Sequence, residues 1–244
     1  AKAAIDASGG WHDAGDYIKF MITTSFVTLQ MVTAFDYAVN YNMKNALIDR
    51  APKNDLPDLY EEARIGLDWI LKMTSDYKND NYYYQVSGEE DHDYWRFPSE
   101  DDETGLVGNP RKLHKGWGSN LLGKSAASLA IASRIFKSYD SDFSRKCLIR
   151  AVELFKVREK YKETIRSNPT YFYNESTGID DMVIAASELY MSTGQNEYKN
   201  YAEENFKKLK SDEIMWARTD FLAFASLYRA GLLKNEAKKR MEHA

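Results

Sequence analysis

The stretch ASGGWHDAGDYIKF, residues 7–20, places two aspartates three positions apart in a glycine-rich turn that contains a tryptophan. An apolar pattern with helical spacing follows directly and predicts a helix over residues 18–41. Aspartate is a favoured N-cap residue, so spacing alone indicates that Asp16 caps this helix. The competing interpretation is that Asp13 and Asp16 share acid–base chemistry, with Gly15 allowing a tight backbone course between them.

The composition is that of a soluble globular chain. It has 244 residues, of which 43% are hydrophobic and 29% charged, enough for one sizeable core. The net charge is -4 and no basic run stands out, which argues against a nucleic-acid partner. No apolar run reaches the roughly 18 residues of a membrane span, which argues against a membrane partner. The single cysteine, Cys147, excludes an intrachain disulfide.

Helical patterns dominate the rest of the chain. They predict helices over residues 59–73, 120–137, 143–162, 180–193, 197–210, 215–230 and 235–243. Residues 76–119 interrupt them with a long aromatic and acidic segment, in which residues 82–86 (YYYQV) predict a short strand. Such a long connection is uncommon in a compact domain unless it has a function. The sequence therefore predicts an all-α fold of helical hairpins.

The turn GGWHDAGD resembles the signature of glycoside hydrolase family 9, the inverting cellulase family. Three later segments, EEARIGLDWILKM, YYYQVSGEEDHDYWRFPSED and GIDDMVIAASELYMSTGQNEY, resemble that family in the same order. The resemblance implies an all-α (α/α)6 barrel of the six-hairpin glycosidase type. Only about eight of its twelve helices are expected within residues 1–244. The chain is then a partial catalytic domain that lacks the first helix and the C-terminal part, including the general-acid glutamate, and is expected to be nearly inactive alone.

The resemblance also implies an activity, the inverting hydrolysis of β-1,4-glycosidic bonds in cellulose-type glucans or their oligosaccharides. Inversion uses an acid and a base roughly 6.5–9.5 Å apart, with the attacking water between the base and the sugar. By resemblance, Asp16 is the base and Asp13 positions the water. The expected partner is an oligosaccharide or polysaccharide, no cofactor is required, and the parent protein is expected to be secreted or periplasmic.

Four further residues are candidates for substrate binding. Trp95 resembles a tryptophan of the family's long loop, and it either stacks on a sugar ring or pins that loop to the barrel. Trp216 and Asp220, in MWARTD, fall where the family has a Trp-Asp pair near the cleft. His12 either bonds the substrate or is an ordinary histidine with partners inside the protein.

Metal binding is predicted only as a structural calcium ion. The acidic run within residues 89–103 could hold one, but it lacks the EF-hand pattern, and a solvated loop is the favoured interpretation of this run. The histidines do not have the spacing of zinc ligands. Asp180 and Asp181 precede a predicted helix and are interpreted as its caps.

Two alternative functions remain open. The segments SNLLGKSAASLAIAS (119–133) and PSED (98–101) depart from the family pattern, which leaves room for an exo-acting glucosaminidase with the same mechanism. The other alternative is a non-catalytic α-helical scaffold that binds a protein partner. A scaffold predicts a repeat period and an exposed apolar face, but not a glycine-rich turn with two aspartates.

Overall fold

The computed structural model describes residues 5–43, 56–97, 100, 111–210 and 213–242. The helices are α1 Met21–Asn40, α2 Asp58–Met73, α3 Glu89–His92, α4 Ser119–Ile135, α5 Ser141–Lys156, α6 Ile179–Thr193, α7 Asn196–Asn205, α8 Asp220–Arg229 and α9 Lys234–Glu242. The strands are β1 Lys19–Phe20, β2 Tyr83–Val86 and β3 Leu113–Lys115. Within these ranges, every helix is too short or too polar to cross a membrane.

The long helices form two layers of hairpins. Helices α1, α4, α6 and α8 pack side by side in an inner layer, and each also packs against the helix that follows it: α2, α5, α7 or α9. Helix α4 lies at the centre, where every one of its residues except Arg134 is buried. The outer helices α2 and α5 instead bury one face. Four hairpins are therefore present in the described part of the chain, which confirms the predicted all-α class.

The inner helices all run in the same direction. Near their C-terminal ends, one charged residue from each helix enters a largely buried ion network: Asp36, Arg134, Glu188 and Arg229. Arg134 contacts both acids, lying 3.3 Å from the Asp36 carboxylate, and Arg229 contacts them as well. The network ties the four helices together at the end opposite to the aspartate turn.

A small antiparallel sheet joins the aspartate turn to the long segment. Its order is β1-β2-β3, and residues 19–20 pair with residues 85–86. The short strand predicted at residues 82–86 is therefore present. Because residues 19–20 are extended, α1 begins at Met21, three residues later than predicted.

The predicted helix over residues 215–230 also begins late. Met215 and Arg218 form an isolated antiparallel bridge, and the helix starts only at Asp220. Two other predicted helices end in 3-10 turns, at Val157–Glu159 and Phe206–Lys208. Helical periodicity continues through such turns, so the pattern does not mark where the α-helix ends.

Candidate active site

The aspartate turn is fixed on helix α2 by close contacts of glycine with tryptophan. Gly9 and Gly10 have positive φ angles, 92° and 64°, which other residues rarely adopt. A Cβ atom on Gly10 would lie only 2.9 Å from the Trp69 ring, and one on Gly66 would lie 2.7 Å from the Trp11 ring. The glycines with left-handed backbone therefore lie before the two aspartates, where the chain approaches α2 closely.

Asp13 is oriented by two hydroxyl groups. Its Oδ1 accepts a hydrogen bond from Thr23 Oγ1 at 2.8 Å, and its Oδ2 accepts one from the Tyr173 hydroxyl at 2.5 Å. Burial raises the pKa of Tyr173, and the bond to Asp13 raises it further. Tyr173 therefore keeps its proton and remains a donor to Asp13 throughout the neutral range.

Asp16 is buried, with 9% of its surface exposed, and has a different pair of partners. Its Oδ1 accepts the backbone N–H of Ile18 at 3.0 Å, and its Oδ2 lies 2.7 Å from His92 Nδ1. The N-cap position of α1 belongs to Phe20, and no side chain caps it. The interpretation of Asp16 as a helix cap is therefore wrong, because its carboxylate fixes the turn before β1.

His92 reaches Asp16 from α3, directly after strand β2. The hydrogen bond to Asp16 is the largest of the effects that raise the pKa of His92, and desolvation only partly opposes it. The ring rests edge-on against Phe172, 5.2 Å between centroids, and 54% of the side chain is exposed. Asp16 thus has one backbone partner and one partner, the His92 imidazole, that is more than half exposed.

The pKa of His92 provides a direct check of this pairing. We expect Asp16→Asn to lower that pKa, because the variant removes the negative charge that stabilises the imidazolium. The raised pKa means that the pair stabilises the fold fully below the ordinary histidine pKa and loses this contribution as pH rises through the raised value. An NMR titration of the histidine rings measures the midpoint. Asp13→Asn is the matched control and should leave it unchanged; an equal midpoint in Asp16→Asn would contradict the pairing.

His12 lies at the exposed side of the turn. Its ring packs edge-on against Tyr17, 5.1 Å between centroids. Partial burial lowers the pKa of His12, and the nearby charges of Lys19 and Arg111 lower it further. The ring is therefore neutral at pH 7, able both to donate and to accept a hydrogen bond. Substrate binding by His12 stays a prediction.

Trp95 is 85% exposed, and its ring lies tilted against that of Phe97, 6.1 Å between ring centroids. The neighbouring Arg96 is what holds the loop. Its guanidinium donates to the buried Asp91 carboxylate at 2.5 Å, and its backbone carbonyl accepts from the Tyr17 hydroxyl. Of the two interpretations of Trp95, this geometry favours an open aromatic face over a side chain that pins the loop.

Trp216 and Asp220 occupy different positions relative to the two aspartates. The Trp216 ring packs edge-on against Tyr173, 5.0 Å between centroids, so it contacts the residue that bonds Asp13. Asp220 is buried at the start of α8, where its Oδ1 accepts the backbone N–H of Lys210 at 2.8 Å and its Oδ2 lies 3.3 Å from Arg218 Nε. The structure brings Trp216 to the site and gives Asp220 partners within the protein. A substrate contact by either residue stays a prediction.

The acidic run proposed for calcium is only partly described, since residues 98–99 and 101–103 lie outside the described ranges. Within the described part, Asp91 is bound to Arg96, and Glu89 accepts a hydrogen bond from Tyr171. These two carboxylates therefore already have partners within the protein.

A second acidic group was not predicted as a candidate metal site. Among the described residues, Glu175, Asp180 and Asp181 place carboxylate oxygens within 4.8 Å of one another, and all three are buried. The interpretation of the two aspartates as helix caps is wrong: Gly178 occupies the N-cap position of α6 without a side-chain cap. Burial, and then repulsion by Asp181, raise the pKa of Asp180 to about 7. Lys124 lies among the carboxylates, and their attraction raises its pKa although burial alone would lower it.

Sequence reasoning missed three residues that contact the aspartates: Thr23, His92 and Tyr173. Thr23 lies ten positions after Asp13, and Tyr173 lies 160 positions after it. An aromatic cluster, TYFYN (170–174), marks the Tyr173 segment, and His92 directly precedes the candidate Trp95 stretch. These signals indicate functional loops, but they do not indicate which aspartate each loop meets.

Comparison with known proteins identifies the group to which this architecture belongs. The family described as Glycosyl hydrolase family 9 matches residues 1–243. Endoglucanase 18 of Arabidopsis thaliana is 32% identical over 222 residues, which cover 88% of this chain and 43% of the relative. A xyloglucan-specific endo-β-1,4-glucanase of Bacteroides ovatus is 27% identical over 256 residues, covering 98% of this chain and 42% of the relative.

A solved structure shows the same fold. The endoglucanase of the termite Nasutitermes takasagoensis aligns with a TM-score of 0.78 at 26% identity, over 97% of this chain and 53% of that one. The chain thus spans 42% to 53% of the length of these three proteins, and its hairpins form an incomplete (α/α)6 barrel. The aspartate turn, the inner and outer layers of helices and the match over residues 1–243 agree: the chain belongs to glycosyl hydrolase family 9.

Proposed function

We propose that the protein hydrolyses β-1,4-glycosidic bonds in cellulose-type glucans or their oligosaccharides, with inversion at the anomeric carbon. The observation that carries this proposal is the pair Asp13 and Asp16 in one turn, each carboxylate oriented by its own hydrogen bonds. Relatives named endoglucanases, one of them xyloglucan-specific, support a β-1,4-glucan as the substrate.

The two carboxylates have different roles in this mechanism. Asp16 is the base, because its exposed partner His92 can give way to the attacking water, whereas both oxygens of Asp13 are held by hydroxyl groups. Asp13 accepts the second hydrogen of the same water and so aims it at the sugar. Catalysis by a positioned base contributes typically 10²–10⁴-fold to the rate.

An inverting reaction also needs a general acid on the other side of the glycosidic bond. We propose that this chain is the larger N-terminal share of a catalytic domain and that the remaining share supplies the acid. The chain covers 43% of one relative and 53% of one solved neighbour, which supports the existence of a remaining share. On that basis the chain alone turns over substrate poorly, and the whole protein is secreted or periplasmic and needs no cofactor.

The sugar is proposed to lie across the aromatic surface beside the turn. Trp95 has an exposed ring, and Trp216 packs against Tyr173, the residue that donates to Asp13. His12 provides a neutral ring that can donate and accept hydrogen bonds. Aromatic faces suit the apolar faces of pyranose rings, and a few polar groups then fix orientation.

The stereochemistry of the product tests the proposal. We expect the α-anomer to appear first when cello-oligosaccharides are hydrolysed, because water attacks the face opposite to the leaving group. NMR of the anomeric protons during the first turnovers measures this, in the chain alone and in a longer polypeptide that contains it. Initial formation of the β-anomer would contradict inversion. Robust turnover by the chain alone would contradict the proposal that the general acid lies outside this chain.

The structure does not favour the glucosaminidase alternative. One reason for that alternative was the unusual sequence of residues 119–133. These residues belong to α4 and are all buried, so they do not form a sugar-facing surface. A panel of aryl glucosides and aryl glucosaminides decides the matter. Hydrolysis restricted to glucose-configured substrates would exclude a glucosaminidase, and a longer polypeptide inactive on every substrate would favour the non-catalytic scaffold.

A further inference from the structure

A fully buried lysine lies inside the central helix α4. The Lys124 ammonium donates to Glu175 Oε1 at 2.6 Å and to Asp181 Oδ2 at 2.7 Å. The side chains of all three residues are completely shielded from solvent. Two short charge-assisted hydrogen bonds offset part of the large cost of burying an ammonium group.

The surrounding oxygens have the arrangement of a cation cage. Glu175, Asp180 and Asp181 bring carboxylate oxygens within 4.8 Å of one another, and Asp180 Oδ1 has no hydrogen-bond partner among the described residues. Calcium prefers such oxygens, at 2.3–2.6 Å. The Lys124 ammonium already lies against two of the three carboxylates. A divalent ion placed there would overlap the ammonium group and would be repelled by its positive charge. With Lys124 in place, the residues do not fit a metal.

The same cluster joins four parts of the fold. Asn120, on α4, donates to the second carboxylate oxygen of Glu175 at 2.8 Å. Thr219, just before α8, donates through its backbone N–H to Asp180 at 2.7 Å and through its hydroxyl to Asp181 at 2.6 Å. Helices α4 and α6, the start of α8 and the segment before α6 therefore meet around one ammonium group.

The segment before α6 also carries the residue that orients Asp13. Tyr173 lies two positions before Glu175, and its backbone carbonyl accepts the N–H of Ser167 at 3.0 Å. Its hydroxyl donates to Asp13 at 2.5 Å. Lys124 thus fixes one side of this segment through Glu175 and acts on Asp13 only through it.

We propose that Lys124 is a built-in cation, which takes the place of a divalent metal at this junction and holds Tyr173 against Asp13 as a positioning residue. The first part concerns the fold and is independent of the reaction. The second part rests on the proposed function.

Two substitutions separate charge from volume. Lys124→Ala removes the ammonium and opens the cage, whereas Lys124→Met fills the volume without a charge. Thermal unfolding is followed in calcium chloride and in EDTA. We expect the wild type to unfold at the same temperature in both solutions, and Lys124→Ala to lose roughly 10 °C in EDTA and to regain much of it with calcium. Lys124→Met should be destabilised in both.

The outcome against the proposal is equally specific. A Lys124→Ala variant that folds but ignores calcium would overturn the built-in cation. If that variant does not fold, calcium binding to the wild type decides: stoichiometric binding that disappears in Asp180→Asn would show that a metal occupies the cage beside Lys124, and no binding is the expected result.

The positioning role has its own readout. In a polypeptide that hydrolyses glucans, calcium should restore kcat of Lys124→Ala together with its unfolding temperature, with little change in KM, and should not restore Lys124→Met. Recovery of the unfolding temperature without recovery of kcat would overturn the positioning role. A wild type without hydrolysis would contradict the proposed function instead, and the thermal comparison would still test the built-in cation.

Discussion

Replacing Asp16 by asparagine is expected to lower the hydrolysis of a soluble β-1,4-glucan by about 10²–10⁴-fold. Asparagine keeps the acceptor for the Ile18 N–H but cannot take a proton from water. The loss should fall on kcat, with KM little changed, because the proton is transferred only in the transition state. Reducing-end release by a polypeptide that hydrolyses glucans measures it.

Asp13→Asn is the matched control for this experiment. It removes a charge from the same turn but leaves the proposed base in place, so a smaller loss of kcat is expected. Both variants should unfold within a few degrees of the wild type, which shows that the turn is intact. Unchanged hydrolysis in Asp16→Asn would contradict the role of Asp16, and a larger loss in Asp13→Asn would exchange the two roles.

Replacing Glu188 by alanine is expected to lower the free energy of unfolding by about 3–5 kcal/mol. Glu188 is completely buried and lies between Arg134 and Arg229, and it also accepts a hydrogen bond from Ser226 at 2.6 Å. Without it, Asp36 alone faces two guanidinium groups, and a buried hydroxyl loses its acceptor. Denaturant titration measures the change.

Glu204→Ala controls for the loss of a helical glutamate as such. Glu204 is exposed on α7, where removal of a side chain usually changes stability by less than about 0.5 kcal/mol. If Glu188→Ala lowers the free energy of unfolding by less than about 1 kcal/mol, solvent or rearranged side chains replace the contacts of the lost carboxylate. Since Glu188 lies far from the aspartate turn, the variant should keep its hydrolytic rate at temperatures where it remains folded.

The existence of the helices was predictable because periodicity is a local property. Apolar spacing located the eight long helices of the described residues, and short connections indicated hairpins. The start of α1 was not predictable in the same way. Whether Lys19 and Phe20 join a helix or a strand depends on residues 85–86, which pair with them across the sheet. Local residue propensities do not predict pairing with a strand that is distant in sequence.

The site shows the same limit more clearly. The turn and its two aspartates are visible in the sequence, but spacing alone indicates a cap at Asp16, because spacing does not show where its hydrogen bonds go. Tyr173 meets Asp13 across 160 residues, and Lys124 meets Glu175 across 51. The one local sign was a lysine within the Ala- and Ser-rich run GKSAASLAIAS, since a charge in a buried helix needs a counter-charge.

The common direction of the inner helices has a consequence for how such a protein can evolve. Lys124 and Arg134 lie on the same helix, ten residues and therefore about 15 Å apart. Substitutions farther apart than about 7–10 Å, without shared partners, usually have additive effects. Substitutions in the Lys124 cluster and in the Arg134 network are thus expected to change stability additively, so a loss at one end of the helical layer can be offset by a gain at the other.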